Sequence, residues 1–597
     1  MKLRLGVSLL LIGLPLVVFA QPGARPSLPA NKTESPPELD GEVRNDPVWQ
    51  RIAPATNFTQ TTPDDGQPVS QETELRVLYT DEAIWFSFVC HDRQPDLMVV
   101  SDARRDASLE NTDSVLLILD TYRDEQNGFV FGTNPAGLVY DGQLSKAGNG
   151  GSMGSGSIGG AGGGFNINWD GVWEVRTQVG DFGWSAEFRI PFNTLRYPRE
   201  EVQDWGANFQ RIIPRRIEKA YWAPLGRQFN ILRLADAGTL SGLEIDDQRN
   251  LKFVPYVLAE ASDIGNAGTQ NDQEWGFDIK YSLTPALTLD LTYNTDFAQV
   301  EADEAQVSLD RFNLFFPEKR PFFLENAGLF TVGMPRQVEL FFSRRIGLTD
   351  DGEIVPIEAG ARVSGGLLGA NVGLMYMQTE ELAGVTPANR FGVARVNKEL
   401  PNRSSLGAIF VNRETTGTLL PEEFDNQTYG VDGRLGIGEY GLLTGYFAGT
   451  STPGLDRDDQ SWALTGSYDS SRWSYSADWV EVGEDFNPEV GFINRSGGYR
   501  NLSGRVLRRY RPAGSPLGLL ELRPHVSYSG YWDPDGFQES GVLHIDNHAE
   551  WKSGYELHTA INFTTKGLQE PFEIYQGVII PVGTYRNSEV HLYGQTN

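Results

Sequence analysis

The second half of the chain is dominated by long stretches in which apolar and polar residues alternate. Every second residue from Trp275 to Leu283 is apolar, whereas the residues between them are small, polar or charged. The same pattern recurs over residues 287–297, 462–469, 473–479 and 556–564. Alternation places the apolar side chains on one face of a strand, and about ten residues is the length at which a tilted strand crosses a bilayer.

This pattern predicts that residues 250–597 form a transmembrane antiparallel β-barrel whose apolar face is covered by lipid. Closure of the barrel pairs the strand edges, which hydrocarbon would otherwise leave unpaired. The alternative is a second soluble sandwich, but strands in soluble sheets average five or six residues.

The N-terminus has the features of a secretory signal. Lys2 and Arg4 precede an apolar run from Leu5 to Val18, and Ala20 offers a small residue at a cleavage site. Residues 1–20 are therefore predicted to be a signal peptide, and residues 21–37, rich in Pro, Ala and Ser, a linker. A retained anchor is the alternative, although the apolar run is short for a membrane span.

Composition excludes several classes of function. The chain has 597 residues, with 50 Lys and Arg against 79 Asp and Glu, which gives a net charge of −29. A nucleic-acid partner is not expected, because phosphate binding requires clustered basic residues. The single cysteine, Cys90, excludes an internal disulfide framework and a cysteine-based zinc site.

Residues 38–245 carry shorter alternating runs, such as Leu75–Tyr79 and Ile84–Cys90. The run Val115–Leu119 is continuously apolar, and Gly180–Gly183 separates two strand-like segments as a hairpin turn would. These features predict an antiparallel β-sandwich, so the chain is expected to be all-β. The Gly- and Ser-rich stretch 147–164 is predicted to be a flexible loop.

The order of short motifs in residues 38–245 resembles the family-9 carbohydrate-binding domain. The motifs are Leu39-Asp40-Gly41, Pro47-Val48-Trp49, Thr73–Tyr79, Ile84-Trp85-Phe86, Asp113-Ser114-Val115, Leu119-Asp120 and Trp184–Phe192. The resemblance implies the sandwich fold and a sugar site in which two tryptophans sandwich a pyranose ring. The stretch Ser108–Thr112, where one family tryptophan would lie, has no aromatic residue, and the later stretch offers only Phe229.

Trp85, Trp173, Trp222 and Phe229 are therefore the candidate sugar-stacking residues, with core packing as the alternative for each. Asp113 and Asp120 flank a strand and are candidate calcium ligands, with a solvated strand end as the alternative. No other metal or cofactor is predicted.

One segment breaks the alternation. It runs from Asn294 through Arg311-Phe312-Asn313 and Pro317-Glu318-Lys319-Arg320-Pro321 to Gly347, and it closely resembles an uncharacterised outer-membrane barrel domain found downstream of family-9-like domains in bacterial envelope proteins. Its charged residues include Asp296, Glu301, Asp303, Arg311, Glu318, Lys319, Arg320, Glu325, Arg344 and Arg345, which are the candidate members of an ion network. Buried charges must be paired, so the segment is predicted to fold into the lumen, held by an ion network. It is either a constriction that selects a solute, a structural brace, or an acid/base site.

Together these features predict a bacterial outer-membrane protein with a periplasmic sandwich followed by a barrel, which binds or passes a solute such as a saccharide. One alternative makes the sandwich the working part and the barrel its anchor. Another is a hydrolase acting on O-glycosyl bonds. Because the sequence ends at Tyr593–Asn597 without a terminal aromatic residue, it is also expected to lack the last strands of the barrel.

Overall fold

The computed structural model describes residues 25–146, 164–246, 250–263, 269–295, 311–349, 352–417, 424–455, 457–515 and 517–596. The predicted signal peptide and most of the Gly- and Ser-rich stretch lie outside these residues. Within the described part the regular secondary structure is almost entirely β-strand. No helix in this part is both long enough and apolar enough to cross a membrane.

The N-terminal unit is an antiparallel sandwich of two sheets. Its described strands are β1 (Ser27–Pro29), β2 (Asn31–Lys32), β3 (Thr59–Thr62), β4 (Thr73–Tyr79), β5 (Ala83–His91), β6 (Ser114–Asp120), β7 (Gly128–Thr133), β8 (Tyr140–Leu144), β9 (Phe165–Asn166), β10 (Glu174–Gly180), β11 (Gly183–Pro191), β12 (Gln203–Ile213), β13 (Glu218–Tyr221) and β14 (Gly238–Leu243). One sheet has the order β1-β14-β12-β6-β7-β8-β9, with β13 paired to β12 and β3 paired to β13, and the other has the order β10-β11-β5-β4-β2.

The core of the sandwich lies between these sheets. Phe86 and Phe88 of β5 pack against Phe209 of β12, with ring centroids 5.8 and 6.1 Å apart. The predicted hairpin is present, because Gly180 pairs with Gly183. Gly183 has a φ of 121°, and a Cβ there would lie 2.2 Å from the carbonyl oxygen of Cys90. Only glycine fits this turn.

The boundary predicted at residue 38 is too late. Strands β1 and β2 lie within the predicted linker, yet β1 pairs in parallel with β14 and β2 with β4. The pairing uses backbone groups and therefore needs no apolar pattern that the sequence would reveal. The sandwich thus includes residues from the linker.

The C-terminal unit contains a sixteen-stranded antiparallel sheet in the described residues. The strands and helices of this unit are β15 (Leu251–Asp263), β16 (Thr269–Thr284), β17 (Leu287–Tyr293), α1 (Pro321–Leu324), α2 (Ala327–Phe330), β18 (Gly333–Met334), β19 (Val338–Glu339), β20 (Ile357–Leu367), β21 (Ala370–Thr379), β22 (Ala388–Leu400), β23 (Ser404–Thr416), β24 (Asp425–Ile437), β25 (Gly441–Ser451), β26 (Gln460–Asp469), β27 (Trp473–Val482), β28 (Phe492–Ile493), β29 (Tyr499–Arg508), β30 (Leu519–Trp532), β31 (Gln538–Trp551), β32 (Glu556–Leu568), β33 (Phe572–Tyr575), β34 (Val578–Ile580) and β35 (Gly583–Gln595). Short β18, β19 and β28 form a separate sheet, as do β33 and β34, and the remaining strands pair in chain order from β15 to β35.

The large sheet wraps around residues 311–349, which we call the internal segment. Glu325 of this segment contacts Lys280 on β16, near the first edge of the sheet. Arg311 donates to the carbonyl of Gly567 on β32, near the last edge, at 2.6 Å. One short segment reaches strands near both edges only because the sheet curls into a barrel wall around it.

The two faces of this wall differ as the alternation predicted. Trp275 is 60% exposed and Leu464 is 49% exposed on the outer face. Polar side chains on the opposite face are buried, such as Thr288 at 0%. Arg362 on β20 donates to Asp290 on β17 at 2.8 Å, and the side chain of Arg395 on β22, 0% exposed, lies 2.6 Å from Asp432 on β24. The predicted fold class, an antiparallel sandwich followed by an antiparallel barrel, is confirmed.

Candidate functional site

The internal segment fills part of the lumen with apolar side chains. Phe322, Phe323 and Phe341 are buried in one cluster with inward-facing residues of the wall. The wall residues in this cluster include Met375, Met377, Phe391, Val393, Ile409, Val411, Tyr446, Ala448, Ala463, Val480, Val482 and Tyr499. These residues lie on strands between β21 and β29. Where they meet the internal segment, the lumen holds an apolar core that we call the dry core, in addition to its polar surface.

A buried ion pair shapes the start of the segment. Arg320 and Glu318 form two hydrogen bonds, at 2.8 and 2.7 Å, and both residues are 6% exposed. Arg320 also donates to the carbonyls of Ser343 and Ile346, at 2.7 and 2.5 Å. Because these bonds join Arg320 to other residues of the same segment, the pair folds the segment onto itself and matches the role of a structural brace.

Among the described residues, the other members of the predicted network contact different parts of the molecule. Arg311 pairs with Glu539 on β31 at 3.3 Å, whereas Arg344 and Arg345 donate to the carbonyls of Pro317 and Gly491, at 3.3 and 3.4 Å. Lys319 is half-buried, and its backbone N–H donates to Glu318. Asp296, Glu301 and Asp303 lie outside the described residues.

Glu325 joins three parts of the molecule. One of its carboxylate oxygens pairs with Arg196 of the sandwich and the other with Lys280 of the barrel wall. The side chains of Arg196 and Glu325 are each 10% exposed. A residue on the internal segment therefore ties the sandwich to the wall, and we call this group of three the junction.

The sandwich sits on one rim of the barrel, where most adjacent strands are joined by short turns. Arg233 donates to the carbonyl of Glu439 at 2.6 Å, and the rings of Phe229 and Tyr440 stack with centroids 6.4 Å apart. Further along the rim, Lys552 pairs with Asp64 at 2.5 Å. The sandwich thus spans the rim between hairpins that are far apart in the chain.

A cavity of about 80 Å³ lies between the sandwich, the rim and the internal segment. Lys146 lines it and donates to the carbonyl of Thr331 on the internal segment, at 2.6 Å, while its ammonium lies 3.6 Å from Asp432. Burial lowers the pKa of Lys146 to about 8. The predicted site did not include Lys146 or Arg196, because their partners are distant in sequence and no local pattern marks them.

The four candidate sugar-stacking residues are all covered. Trp173 stacks on Phe188 in the sandwich core, with centroids 5.6 Å apart and planes inclined by 5°. Trp85 is 4% exposed, Trp222 is 5% exposed and packs on Phe209, and Phe229 is 6% exposed beneath the barrel rim. None of the four offers a free face in this structure, so the geometry favours core and interface packing over sugar stacking at these positions.

The candidate calcium ligands lie at opposite ends of β6. At about 3.3 Å per residue, the seven-residue offset separates Asp113 from Asp120 by roughly 23 Å, so they do not share one ion. Asp113 pairs with buried Arg211 at 3.2 Å, and Asp120 accepts backbone N–H groups from Asp124 and Glu125. Both carboxylates already have protein partners, and calcium binding remains a prediction.

One cluster of acids in the sandwich surrounds Arg105. The guanidinium lies 2.5 Å from Asp141 and from Asp170, and 3.4 Å from Asp106. Burial raises the pKa of Asp141 to about 7 and that of Asp106 to about 6. Glycoside hydrolysis uses two carboxyl groups, an acid of raised pKa and an ionised carboxylate. Here the guanidinium of Arg105 contacts both Asp106 and Asp141.

Comparison with known proteins gives one family match and several structural matches. A family model described as a domain of unknown function, DUF5916, matches residues 249–360. This match confirms the resemblance to an uncharacterised domain that the motifs after residue 294 indicated. No curated protein matches the chain.

Two kinds of solved structure are similar to the chain. A family-9 carbohydrate-binding module from Caldicellulosiruptor kristjanssonii, in complex with glucose, is 14% identical with a TM-score of 0.26, and the match covers 37% of this chain and 98% of that one. The outer-membrane protein OprD from Pseudomonas aeruginosa is 9% identical with a TM-score of 0.24, covering 83% and 97%. OccAB1 from Acinetobacter baumannii is 10% identical with a TM-score of 0.23, covering 82% and 100%. The fold assignment itself rests on the strand pairing and burial described above.

Proposed function

We propose that the protein is a bacterial outer-membrane barrel that binds and passes a solute, with a saccharide as the leading class, and that its lumen is obstructed in the resting state by the internal segment and the docked sandwich. The observation that carries this proposal is the barrel wall, which is apolar and exposed outside but polar, ion-paired and occupied inside.

Membrane insertion is supported by the outer face. Leu374, Phe410, Val431 and Leu464 lie on separate strands and are each more than 40% exposed. A contiguous apolar surface of this kind is costly in water, whereas lipid covers it without cost. Lipid of the outer membrane is therefore the partner of this face.

Loop lengths support a periplasmic sandwich. On the rim that contacts the sandwich, adjacent strands are joined by residues 368–369, 401–403 and 438–440, although the connection 509–518 on this rim is longer. On the opposite rim the connections are residues 380–387, 417–424 and 452–459. Outer-membrane barrels have short turns on the periplasmic side and longer loops outside, so the sandwich belongs on the periplasmic side.

The internal segment supports a gated passage rather than an open pore. Its apolar residues pack against the wall from β21 to β29. Its links to the sandwich include the ion pair of Glu325 with Arg196, the hydrogen bonds between Asn326 and Gln143, and the bond from Lys146 to the carbonyl of Thr331. Opening requires the segment to leave part of this core, and the junction provides a contact through which a movement of the sandwich reaches it.

Reconstitution of the full chain tests the proposal. Liposomes containing the protein should swell in isotonic oligosaccharide faster than liposomes containing a heat-denatured sample, and Glu325→Gln should increase the rate by loosening the junction. A matched variant, Glu353→Gln, changes an exposed carboxylate in a loop and should leave the rate unchanged. The proposal is wrong if neither the wild type nor Glu325→Gln supports swelling or ion conductance.

A calorimetric titration of the full chain with a panel of soluble glycans tests the saccharide separately. Binding with a dissociation constant in the micromolar to millimolar range is expected. Conductance without any glycan binding would support the proposed passage of a solute but would exclude a saccharide as that solute.

A further inference from the structure

Five of the six histidines in the chain lie on four neighbouring strands at one side of the barrel. They are His525 on β30, His544 and His548 on β31, His558 on β32 and His591 on β35. The outer-membrane role proposed above makes no use of them. Their concentration in one part of the wall calls for a chemical explanation, because imidazole is the commonest metal ligand among side chains.

The register of the strands brings these residues together on the lumen face. His525 lies directly opposite Asp546, and His544 and His548 are two residues to either side of Asp546 on the same strand. Residues two apart share a face of a strand. Ile545, the neighbour of Asp546, is 41% exposed on the outer face, whereas Asp546 is 7% exposed.

Side-chain atoms of His525, His544 and Asp546 approach one another closely. One ligand atom from each lies within 4.8 Å of the other two. In a tetrahedral zinc site the ligand atoms are roughly 3.4 Å apart, given zinc–ligand bonds of about 2.1 Å. Small side-chain rotations therefore suffice to close the three ligands around one ion.

Hydrogen bonds on the far side of each imidazole set the tautomer that a metal requires. His525 Nδ1 lies 3.0 Å from the carbonyl of Arg523, which only accepts, so Nδ1 carries the proton. His544 Nδ1 lies 2.6 Å from Asn562 Oδ1, and the amide group is oriented because Asn562 Nδ2 donates to Glu589 at 3.1 Å. In both histidines Nε2 therefore keeps its lone pair. Most metal-binding histidines have this arrangement, in which one ring nitrogen binds the metal and the other donates to a second-sphere acceptor.

The carboxylate of Asp546 is prepared in the same way. Its Oδ1 accepts the backbone N–H groups of Asn547 and Thr559, at 2.6 and 3.0 Å. Its Oδ2 lies 3.5 Å from His544 Nε2 and 2.7 Å from His548 Nε2. One oxygen is thus fixed by the backbone and the other faces the histidines.

We propose that His525 Nε2, His544 Nε2 and Asp546 Oδ2 form a binding site for a divalent transition-metal ion. His548, which donates from Nε2 to Asp546 Oδ2, positions the carboxylate. Two imidazoles with one carboxylate select Zn²⁺ or Cu²⁺ over Ca²⁺ and Mg²⁺, which prefer oxygen ligands alone. The side chain of His544 is 29% exposed toward the lumen, which leaves a path for the ion.

The test uses the full chain purified in detergent without a histidine tag and stripped of metal by a chelator. Titration with ZnCl₂ should show one site per chain, and Co²⁺ should give the visible absorption of a low-coordinate nitrogen- and oxygen-ligated ion. Replacing both His544 and Asp546 by alanine should abolish binding. His591→Ala is the matched control, because His591 is an exposed histidine of the same wall that pairs with Glu589, and it should bind zinc as the wild type does.

A second variant separates ligation from general loss of structure. Asn562→Ala leaves all proposed ligands in place but removes the acceptor that orients His544, and it should weaken zinc binding by about 10- to 100-fold. The proposal is refuted if the folded wild type binds zinc no more tightly than the folded double variant, or if Ca²⁺ competes with Zn²⁺ at equal concentration.

Discussion

The charge of Glu325 controls how firmly the internal segment is held. The variant Glu325→Gln keeps the size of the side chain but removes the charge that Arg196 and Lys280 share. Removing one partner of a buried ion pair typically costs about 3–5 kcal/mol, because the other charge stays buried without compensation.

The lower end of that range applies here. Arg196 keeps hydrogen bonds to the carbonyls of Asn193 and Leu195, at 3.0 and 2.8 Å, and the side chain of Lys280 is 31% exposed. A loss of about 3 kcal/mol corresponds to a roughly 150-fold larger population in which the segment is released, since each 1.4 kcal/mol is tenfold.

Hydrogen exchange measures this population directly, because amides of a locally opening segment exchange in proportion to it. Amides of α1 and α2 should exchange roughly 150-fold faster in Glu325→Gln, while amides of the sandwich core keep their wild-type rates. The double variant Arg196→Met/Glu325→Gln should lose less than the sum of the two single variants, because no uncompensated guanidinium remains. Unchanged exchange in α1 and α2 would refute the role of the junction.

Three further predictions test other parts of the molecule. Leu464→Arg places a charge on the outer face at the centre of β26 and should lower the free energy of unfolding in lipid vesicles by about 2–4 kcal/mol. Thr465→Arg places the same charge on the lumen face and should not have this effect. Equal effects of the two variants would contradict the assigned faces. Burial raises the pKa of Asp141 to about 7, so the folded chain holds a proton that the unfolded chain releases near pH 4, and the unfolding temperature of the wild type relative to Asp141→Asn should fall from pH 5 to pH 8. Gly328→Leu, whose new side chain would overlap Ser145, should separate the sandwich from α2 and increase protease cleavage between the two units.

Alternation in the sequence was sufficient to predict the barrel and the direction of its faces. Trp275 and Leu283 are exposed outside, as a period of two requires. The dry core within the lumen was not predictable, because Met375 and Met377 meet the internal segment only after the sheet curls. The wrong expectation at β1 has the same origin, since backbone pairing leaves no mark on hydropathy.

Some contacts of the candidate site could be predicted from the sequence, whereas others could not. Glu318 and Arg320 are two residues apart, and their pairing follows from local charge. Arg196 and Glu325 are separated by 129 positions, so no local pattern links them. The spacing His544-x-Asp546-x-His548 is a local signal for one strand face, but its meaning depends on His525 from the adjacent strand.

The dry core inside the lumen also affects how the strands find their alignment during insertion. On β21, Met377 faces the inner core and Tyr376 faces outward, so a slip of one residue would exchange two apolar faces at little hydrophobic cost. On β20 and β22 the same slip would expose Arg362 and Arg395 to hydrocarbon, at about 2–4 kcal/mol each near the midplane. The guanidinium groups of Arg362 and Arg395, rather than the apolar side chains, thus fix the strand register in this part of the wall.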